Sequence, residues 1–153
     1  MTGNNDPAQI PARPTTPRPA KASMPVVTMI GGGQLARMTH QAAVALGQTL
    51  RVLSGTSDEP AAQVSPDVVL GSHTDLDALR RAAVGSNALT FDHEHVPTEH
   101  LEVLVAEGVN VQPPPQALIF AQDKLLMRRK LAELGAPVPA YAEVTWAEDV
   151  VRF

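Results

Sequence analysis

The residues best suited to chemistry form a glycine-rich turn, Gly31-Gly32-Gly33-Gln34-Leu35-Ala36, between an apolar run and a helical pattern. Glycines let a ligand approach the backbone closely, and the free N–H groups at the start of the following helix favour an anion. The turn therefore predicts a phosphate site, although glycines needed only for tight strand–helix packing are the alternative interpretation.

The same turn has the G-x-G-x-x-A spacing of dinucleotide-binding proteins, which alone is a weak indication. Such a site also needs an acidic residue at the end of the second strand, where it binds the ribose hydroxyls. Here the predicted second strand ends at Leu53-Ser54, and Asp58 would have to fold back beyond Gly55 to serve. The pattern therefore disfavours a dinucleotide without excluding it.

A second polar group, Asp92-His93-Glu94-His95, follows an apolar run that ends at Phe91. Ligands of open parallel sheets bind outside the carboxyl ends of the strands, so this group lies beside the glycine turn if the two strands are neighbours. In an extended chain alternate residues share a face, which pairs Asp92 with Glu94 and His93 with His95. The carboxylates suit the ribose hydroxyls of a phosphoribosyl ligand.

The two histidines of this group would form half of a metal site, but no third ligand is visible nearby, and solvated loop residues are the more ordinary interpretation. The remaining histidines carry no functional prediction: His40, His73 and His100. Lys124, at the start of a later helix, would by composition alone be an ordinary surface charge.

The elements that must position these residues alternate between short apolar runs and helical stretches, which is typical of βα units. Strands are predicted over 25–30, 49–54, 68–70, 88–91 and 109–111, and helices over 34–46, 75–84, 98–107 and 122–134. The pattern predicts an α/β fold with an open, mostly parallel sheet and flanking helices.

Prolines divide the chain into three predicted regions. Residues 1–23 are proline-rich and aperiodic, which predicts a disordered tail. Residues 24–112 form the predicted domain, and Pro113-Pro114-Pro115 marks its boundary because consecutive prolines continue neither a central strand nor a helix. Residues 113–153 then comprise a linker helix and the start of a further domain.

Composition narrows the possible partners. The 153 residues carry a formal net charge of −4, which gives no broad basic field for nucleic acid or a membrane surface. The chain has no cysteine, which excludes disulfides and thiolate chemistry and favours a cytoplasmic protein. No apolar run approaches the roughly 20 residues of a spanning helix. Small molecules or proteins are therefore the expected partners.

Five motifs together resemble, in order, the N-terminal third or so of 5-(carboxyamino)imidazole ribonucleotide synthases, ATP-grasp ligases of purine biosynthesis. They are Met29–Met38, Asp58–Ala62, Thr90–Pro97, Gln122–Lys124 and Leu134–Pro139. The resemblance implies a Rossmann-like pre-ATP-grasp domain over 24–112. It also implies ATP-dependent carboxylation of 5-aminoimidazole ribonucleotide with bicarbonate, with Mg²⁺ accompanying ATP and a possible homodimer.

The resemblance assigns roles by motif position. Gly33, Gln34 and Leu35 would bind the nucleotide substrate, largely through backbone N–H groups on its phosphate. Asp92 and Glu94 match an acidic pair that faces the same substrate. Lys124 matches a basic position of the family that contacts ATP.

Two departures qualify this picture. The family commonly has Glu-Phe-Glu-Asn where this chain has Asp92-His93-Glu94-His95. The family's glycine-rich phosphate loop and Mg²⁺ ligands would lie beyond Phe153, so the chain is expected to be a fragment that is inactive alone. The alternatives are a stand-alone Rossmann-like module that binds a nucleotide or NAD(P), and a non-catalytic interaction protein.

Overall fold

The computed structural model describes residues 24–153, so the tail predicted over 1–23 lies outside the described residues. The elements in chain order are β1 Val26–Ile30, α1 Gln34–Ala45, β2 Thr49–Ser54, β3 Val68–Leu70, α2 Leu76–Ala83, β4 Ala88–Phe91, α3 Thr98–Ala106, α4 Pro115–Gln122, α5 Lys124–Glu133 and α6 Ala147–Arg152. None of these helices, all within 24–153, is long and apolar enough to cross a membrane.

The four strands form one parallel sheet in the order β3-β2-β1-β4. This confirms the predicted α/β class with an open parallel sheet. The last residue of β1, Ile30, pairs with Leu53 of β2 on one side and with Phe91 of β4 on the other. The glycine turn after β1 therefore leaves the sheet directly beside the polar group after β4.

Alternation along the strands divides the core into two layers, because successive side chains point to opposite faces. Ile30 belongs to the layer that packs under α2, α3 and α4, where Leu101 and Leu118 are buried. Its neighbour Met29 packs in the smaller layer under α1, with Ala36. Leu118 ties α4, which follows the prolines, to the same core as the sheet.

The strand predicted over 109–111 is reduced to a single parallel bridge between Leu89 and Val111. Leu89 N–H donates to Asn110 O, and Gln112 N–H donates to Leu89 O, both at 2.8 Å. The next residue is Pro113, which has no N–H to extend the ladder. The prediction of a fifth strand was therefore wrong.

The helix predicted over 122–134 is shorter, spanning Lys124–Glu133, and a separate helix, α4, precedes it. Pro115 occupies the first position of α4, where its missing N–H costs nothing and its fixed φ suits a helix. Asp123, whose φ is −115°, separates the two helices. It also caps α5, since its carboxylate accepts the N–H groups of Leu125 and Leu126. The prediction missed α4 and α6.

Candidate functional site

A cavity of about 480 Å³ opens where the chain leaves all four strands. Its walls come from the segments that follow β1, β2, β3 and β4, and include Gly31, Gly55, Gly71 and His93. The carboxyl edge of a parallel sheet is the usual ligand site of such folds. The cavity lies at the edge where the sequence predicts a site, but the residues predicted to bind ligands are not among those that line it.

The glycine turn adopts a backbone that a side chain would disturb. Gly31 has φ +122°, and its N–H donates to Leu53 O at 3.0 Å. Gly33, in an extended conformation, is the N-cap of α1 and offers no capping side chain. The N–H groups of Gln34 and Leu35, at the first two helical positions, have no acceptor within the helix. Both residues are exposed, so these donors can meet a ligand.

Asp92 reaches the glycine turn, as its position after β4 predicts, but it acts there as a cap. Its Oδ2 accepts the N–H of Ala36 at 3.3 Å. Its Oδ1 is buried without a hydrogen-bond partner among residues 24–153. A buried carboxylate oxygen without a donor is unusual, and a ligand hydroxyl or amine would satisfy it. Because Asp92 accepts the N–H of Ala36, only the N–H groups of Gln34 and Leu35 remain free in this turn for an anionic ligand.

Glu59 is a site residue that sequence reasoning missed, since Asp58 was the residue weighed there. Asp58 is exposed, whereas the Glu59 carboxylate lies over Gly32 and accepts the Ser54 hydroxyl at 2.7 Å. Ala61 N–H donates to Gly32 O at 2.8 Å, which docks this loop onto the glycine turn. Only the Asp58–Ala62 motif pointed to this loop, and it did not indicate which carboxylate faces inward.

The segment Asp92–His95 is a turn, so the extended conformation assumed for it was wrong. His95 N–H donates to His93 Nδ1 at 3.2 Å, which closes the turn. His93 and His95 line the large cavity, whereas Asp92, Glu94 and also His93 line a shallower one of about 290 Å³ beside α4. His93 lies between the two cavities.

His73, which carried no prediction, joins the two histidines after β4. Its ring lies 4.8 Å from that of His93, and the rings of His93 and His95 are 5.4 Å apart. Within residues 24–153 no group of three metal-ligating side chains has the geometry to hold an ion. All three imidazoles line the large cavity.

Nearby charges act on Glu94, which lies in the turn after β4. The pKa of Glu94 is lowered by hydrogen bonding to its own backbone, and further by His95, Lys124 and His93. Lys124 begins α5, and its Nζ donates to Ala121 O at 3.1 Å. The structure thus brings Lys124 into the electrostatic field of Glu94, while it remains outside the large cavity.

The histidines predict a pH dependence of stability. Burial, followed by repulsion from His93 and His95, lowers the pKa of His73 below 6.5, although Glu59 partly opposes this. Below pH 6.5 the unfolded chain therefore binds more protons than the folded one, so the free energy of unfolding should fall as the pH drops through this range.

Urea denaturation between pH 7.5 and about 5.5 measures this slope, above the range in which carboxylates titrate. His73→Gln should flatten the slope because it removes the titrating group. An unchanged slope in the variant would contradict the assignment to His73.

Comparison with known proteins identifies the class of protein that this fold and site define. Residues 24–122 match the ribonucleotide synthetase preATP-grasp domain. The chain belongs to this family of pre-ATP-grasp domains, which confirms the resemblance inferred from its motifs.

Within that family the chain is homologous to N5-carboxyaminoimidazole ribonucleotide synthases. The enzyme of this name from Mycobacterium leprae is 66% identical over 137 residues, which are 88% of this chain and 31% of the relative. The chain thus spans about a third of the length of the curated relatives it matches.

Two solved structures show the same fold. The synthetase from Thermotoga maritima is 34% identical, with a TM-score of 0.74 over 84% of this chain and 36% of its own. The synthase from Aspergillus clavatus is also 34% identical, with a TM-score of 0.69 over 76% of this chain and 31% of its own. The Aspergillus protein was crystallised in complex with ADP and 5-aminoimidazole ribonucleotide.

Proposed function

We propose that this chain is part of an enzyme that carries out ATP-dependent carboxylation of 5-aminoimidazole ribonucleotide with bicarbonate, that residues 24–112 supply its substrate-binding domain, and that the chain is inactive alone. ATP and bicarbonate give carboxyphosphate and ADP, and the carboxyl group then passes to the exocyclic amine of the nucleotide with release of phosphate. Membership of the pre-ATP-grasp family carries this proposal. It is supported by the ligand of the Aspergillus relative.

The glycine turn is assigned to the phosphate of the nucleotide. Gln34 and Leu35 carry free first-turn N–H groups of α1, and Gly33 precedes them as the N-cap. The helix dipole favours an anion at this end. Because Asp92 Oδ2 already accepts the Ala36 N–H, the phosphate binds towards Gln34 and Leu35.

The two carboxylates after β4 are assigned to the ribose hydroxyls. Asp92 Oδ1 is a buried acceptor without a donor, and Glu94 lines the same shallow cavity. The lowered pKa of Glu94 keeps its carboxylate ionised and hence an acceptor. Neither side chain donates when ionised, so hydroxyls suit both.

Lys124 is assigned to ATP. Its ammonium is exposed at the start of α5, where a phosphate oxygen could replace Ala121 O as its acceptor. When bound, ATP with Mg²⁺ supplies the phosphoryl group that activates bicarbonate. Residues 24–153 contain no three-ligand metal group, so no described residue is assigned to Mg²⁺.

The proposal extends to the cellular location and the oligomeric state of the protein. We place it in the cytoplasm, where purine nucleotides are made and a protein without cysteine needs no oxidising compartment. A homodimer is proposed as well, and exposed apolar side chains such as Met38 and Val44 on α1 are compatible with such a contact.

The phosphate assignment is testable by removing one N–H group. Gln34 is the first residue of α1, a position that tolerates proline, and Gly33 is extended, as a residue before proline must be. Gln34→Pro should weaken binding of 5-aminoimidazole ribonucleotide about tenfold in calorimetry, because a hydrogen bond to a charged group contributes ~1.5 kcal/mol or more. Gln34→Ala, which keeps the N–H group, should bind like the unaltered chain.

Titration with NAD distinguishes the alternative function. Saturable NAD binding without binding of 5-aminoimidazole ribonucleotide would overturn the proposal. Equal affinities of the two Gln34 variants would instead move the phosphate away from the glycine turn.

A further inference from the structure

The side chain of Gln122, the last residue of α4, bridges two segments of the fold. Its Nε2 donates to Glu94 O at 3.0 Å and to Val96 O at 3.1 Å. Its Oε1 accepts the hydroxyl of Thr98 at 3.0 Å. Carbonyl oxygens only accept hydrogen bonds, so the amide has one possible orientation, with both of its N–H groups used.

The backbone that Gln122 holds lies between β4 and α3 and has no sheet or helix ladder of its own. Val96 is fully buried and anchors the far end of this segment. The near end is fixed by the hydrogen bond from His95 N–H to His93 Nδ1. Glu94 sits between these two points, so Gln122 is the contact that fixes its carbonyl.

Gln122 also begins a run of three residues with separate contacts. Asp123 caps α5 through the N–H groups of Leu125 and Leu126, both at 2.9 Å. Lys124 follows and lies close enough to lower the pKa of Glu94. The loop bearing Glu94 and the helix bearing Lys124 are therefore linked through one amide side chain.

We propose that Gln122 is a positioning residue, which holds the Glu94–Val96 backbone so that the Glu94 carboxylate is aligned for the nucleotide substrate and set at a fixed place relative to Lys124. This inference rests on the proposed function for the role of Glu94. The geometry of the clamp itself does not depend on any ligand.

The test is Gln122→Met in the full 153-residue chain, because methionine has a similar length and helix propensity but no amide. Gln116→Met is the matched control, since Gln116 is exposed on the same helix. In the unliganded Gln122 variant, hydrogen exchange of the His95 amide should accelerate roughly tenfold, as expected for a segment that loses one or two net hydrogen bonds. The control should not change.

Two further measurements separate positioning from a merely structural role. A carbon-detected NMR titration should show the lowered pKa of Glu94 rising toward its ordinary value of 4.5 in Gln122→Met, because its backbone contact and its neighbours are no longer fixed. Calorimetry should show weaker binding of 5-aminoimidazole ribonucleotide to Gln122→Met than to Gln116→Met.

The outcomes are distinct. Faster exchange with an unchanged Glu94 pKa and unchanged affinity would overturn the positioning role, and so would equal effects of the two variants. If the unaltered chain fails to bind 5-aminoimidazole ribonucleotide, the proposed function fails, and the Glu94 titration alone then decides whether Gln122 sets that carboxylate.

Discussion

Replacing Gly31 with alanine should lower the free energy of unfolding by about 3 kcal/mol or more, because two penalties add at this position. Gly31 has φ +122°, a region that residues with a Cβ rarely adopt. An added Cβ would also overlap the carboxylate of Asp92, which is held in place by the Ala36 N–H. Urea denaturation followed by circular dichroism measures the loss.

Gly85→Ala provides the matched control. Gly85 has φ +71°, but nothing lies within 4 Å of an added Cβ. Gly85→Ala should therefore lower the free energy of unfolding only by the backbone penalty, about 1–2 kcal/mol. If the carboxylate is the steric obstacle, Asp92→Ala should restore part of the stability lost in Gly31→Ala. Equal losses at Gly31 and Gly85 would show that the contact with Asp92 is unimportant.

Truncating Leu101 to alanine should cost about 2–5 kcal/mol, a large share of the stability of a domain of this size. Leu101 is fully buried in α3 and packs in the larger core layer, with Leu104 and Leu118. Removing its branched end leaves a cavity that a rigid sheet on one side cannot fill. The midpoint of urea denaturation should fall without a change of slope.

Leu134→Ala is the control for this change. Leu134 is 69% exposed at the end of α5, a helix without a buried residue. It should alter stability by no more than about 0.5 kcal/mol. A comparable loss at Leu134 would mean that α5 is covered in solution by a contact absent from residues 24–153.

The carboxylates around the glycine turn bear on the choice between ligands. In dinucleotide sites the pyrophosphate approaches the turn closely, and an acidic residue at the end of the second strand binds ribose hydroxyls. Here Glu59 reaches that neighbourhood but lies directly over Gly32, while Asp92 lies against Gly31. Carboxylates therefore occupy the space against Gly31 and Gly32 that a pyrophosphate would need, which disfavours a dinucleotide, whereas the phosphate of the proposed substrate is assigned to the N–H groups of Gln34 and Leu35 further along the turn.

The sequence by itself determined the local elements of this protein. Alternating apolar runs, the glycines and the helical periodicity are properties of neighbouring residues, so four of the five predicted strands and the parallel character of the sheet follow from them, whereas the strand order does not. The position of Asp92 beside the glycine turn was predicted only if β1 and β4 are neighbours, a condition that the sheet pairing supplies. The exceptions are α6, which was not predicted, and the segment around Pro113 and Pro115, where the predicted strand is only a bridge and an unpredicted helix begins.

Only the tertiary structure decided which distant side chains meet. His73 and His93 are 20 positions apart, and Gln122 lies 28 positions from Glu94, so no periodicity links them. Glu59 rather than Asp58 faces the cavity because the backbone of Ala61 is fixed to Gly32. Asp92 caps α1 for the same kind of reason, since the N–H of Ala36 in the first turn has no acceptor within the helix and the loop after β4 supplies one. Sequence pattern specifies faces and ends of elements, whereas hydrogen bonds between loops depend on the packing that brings those loops together.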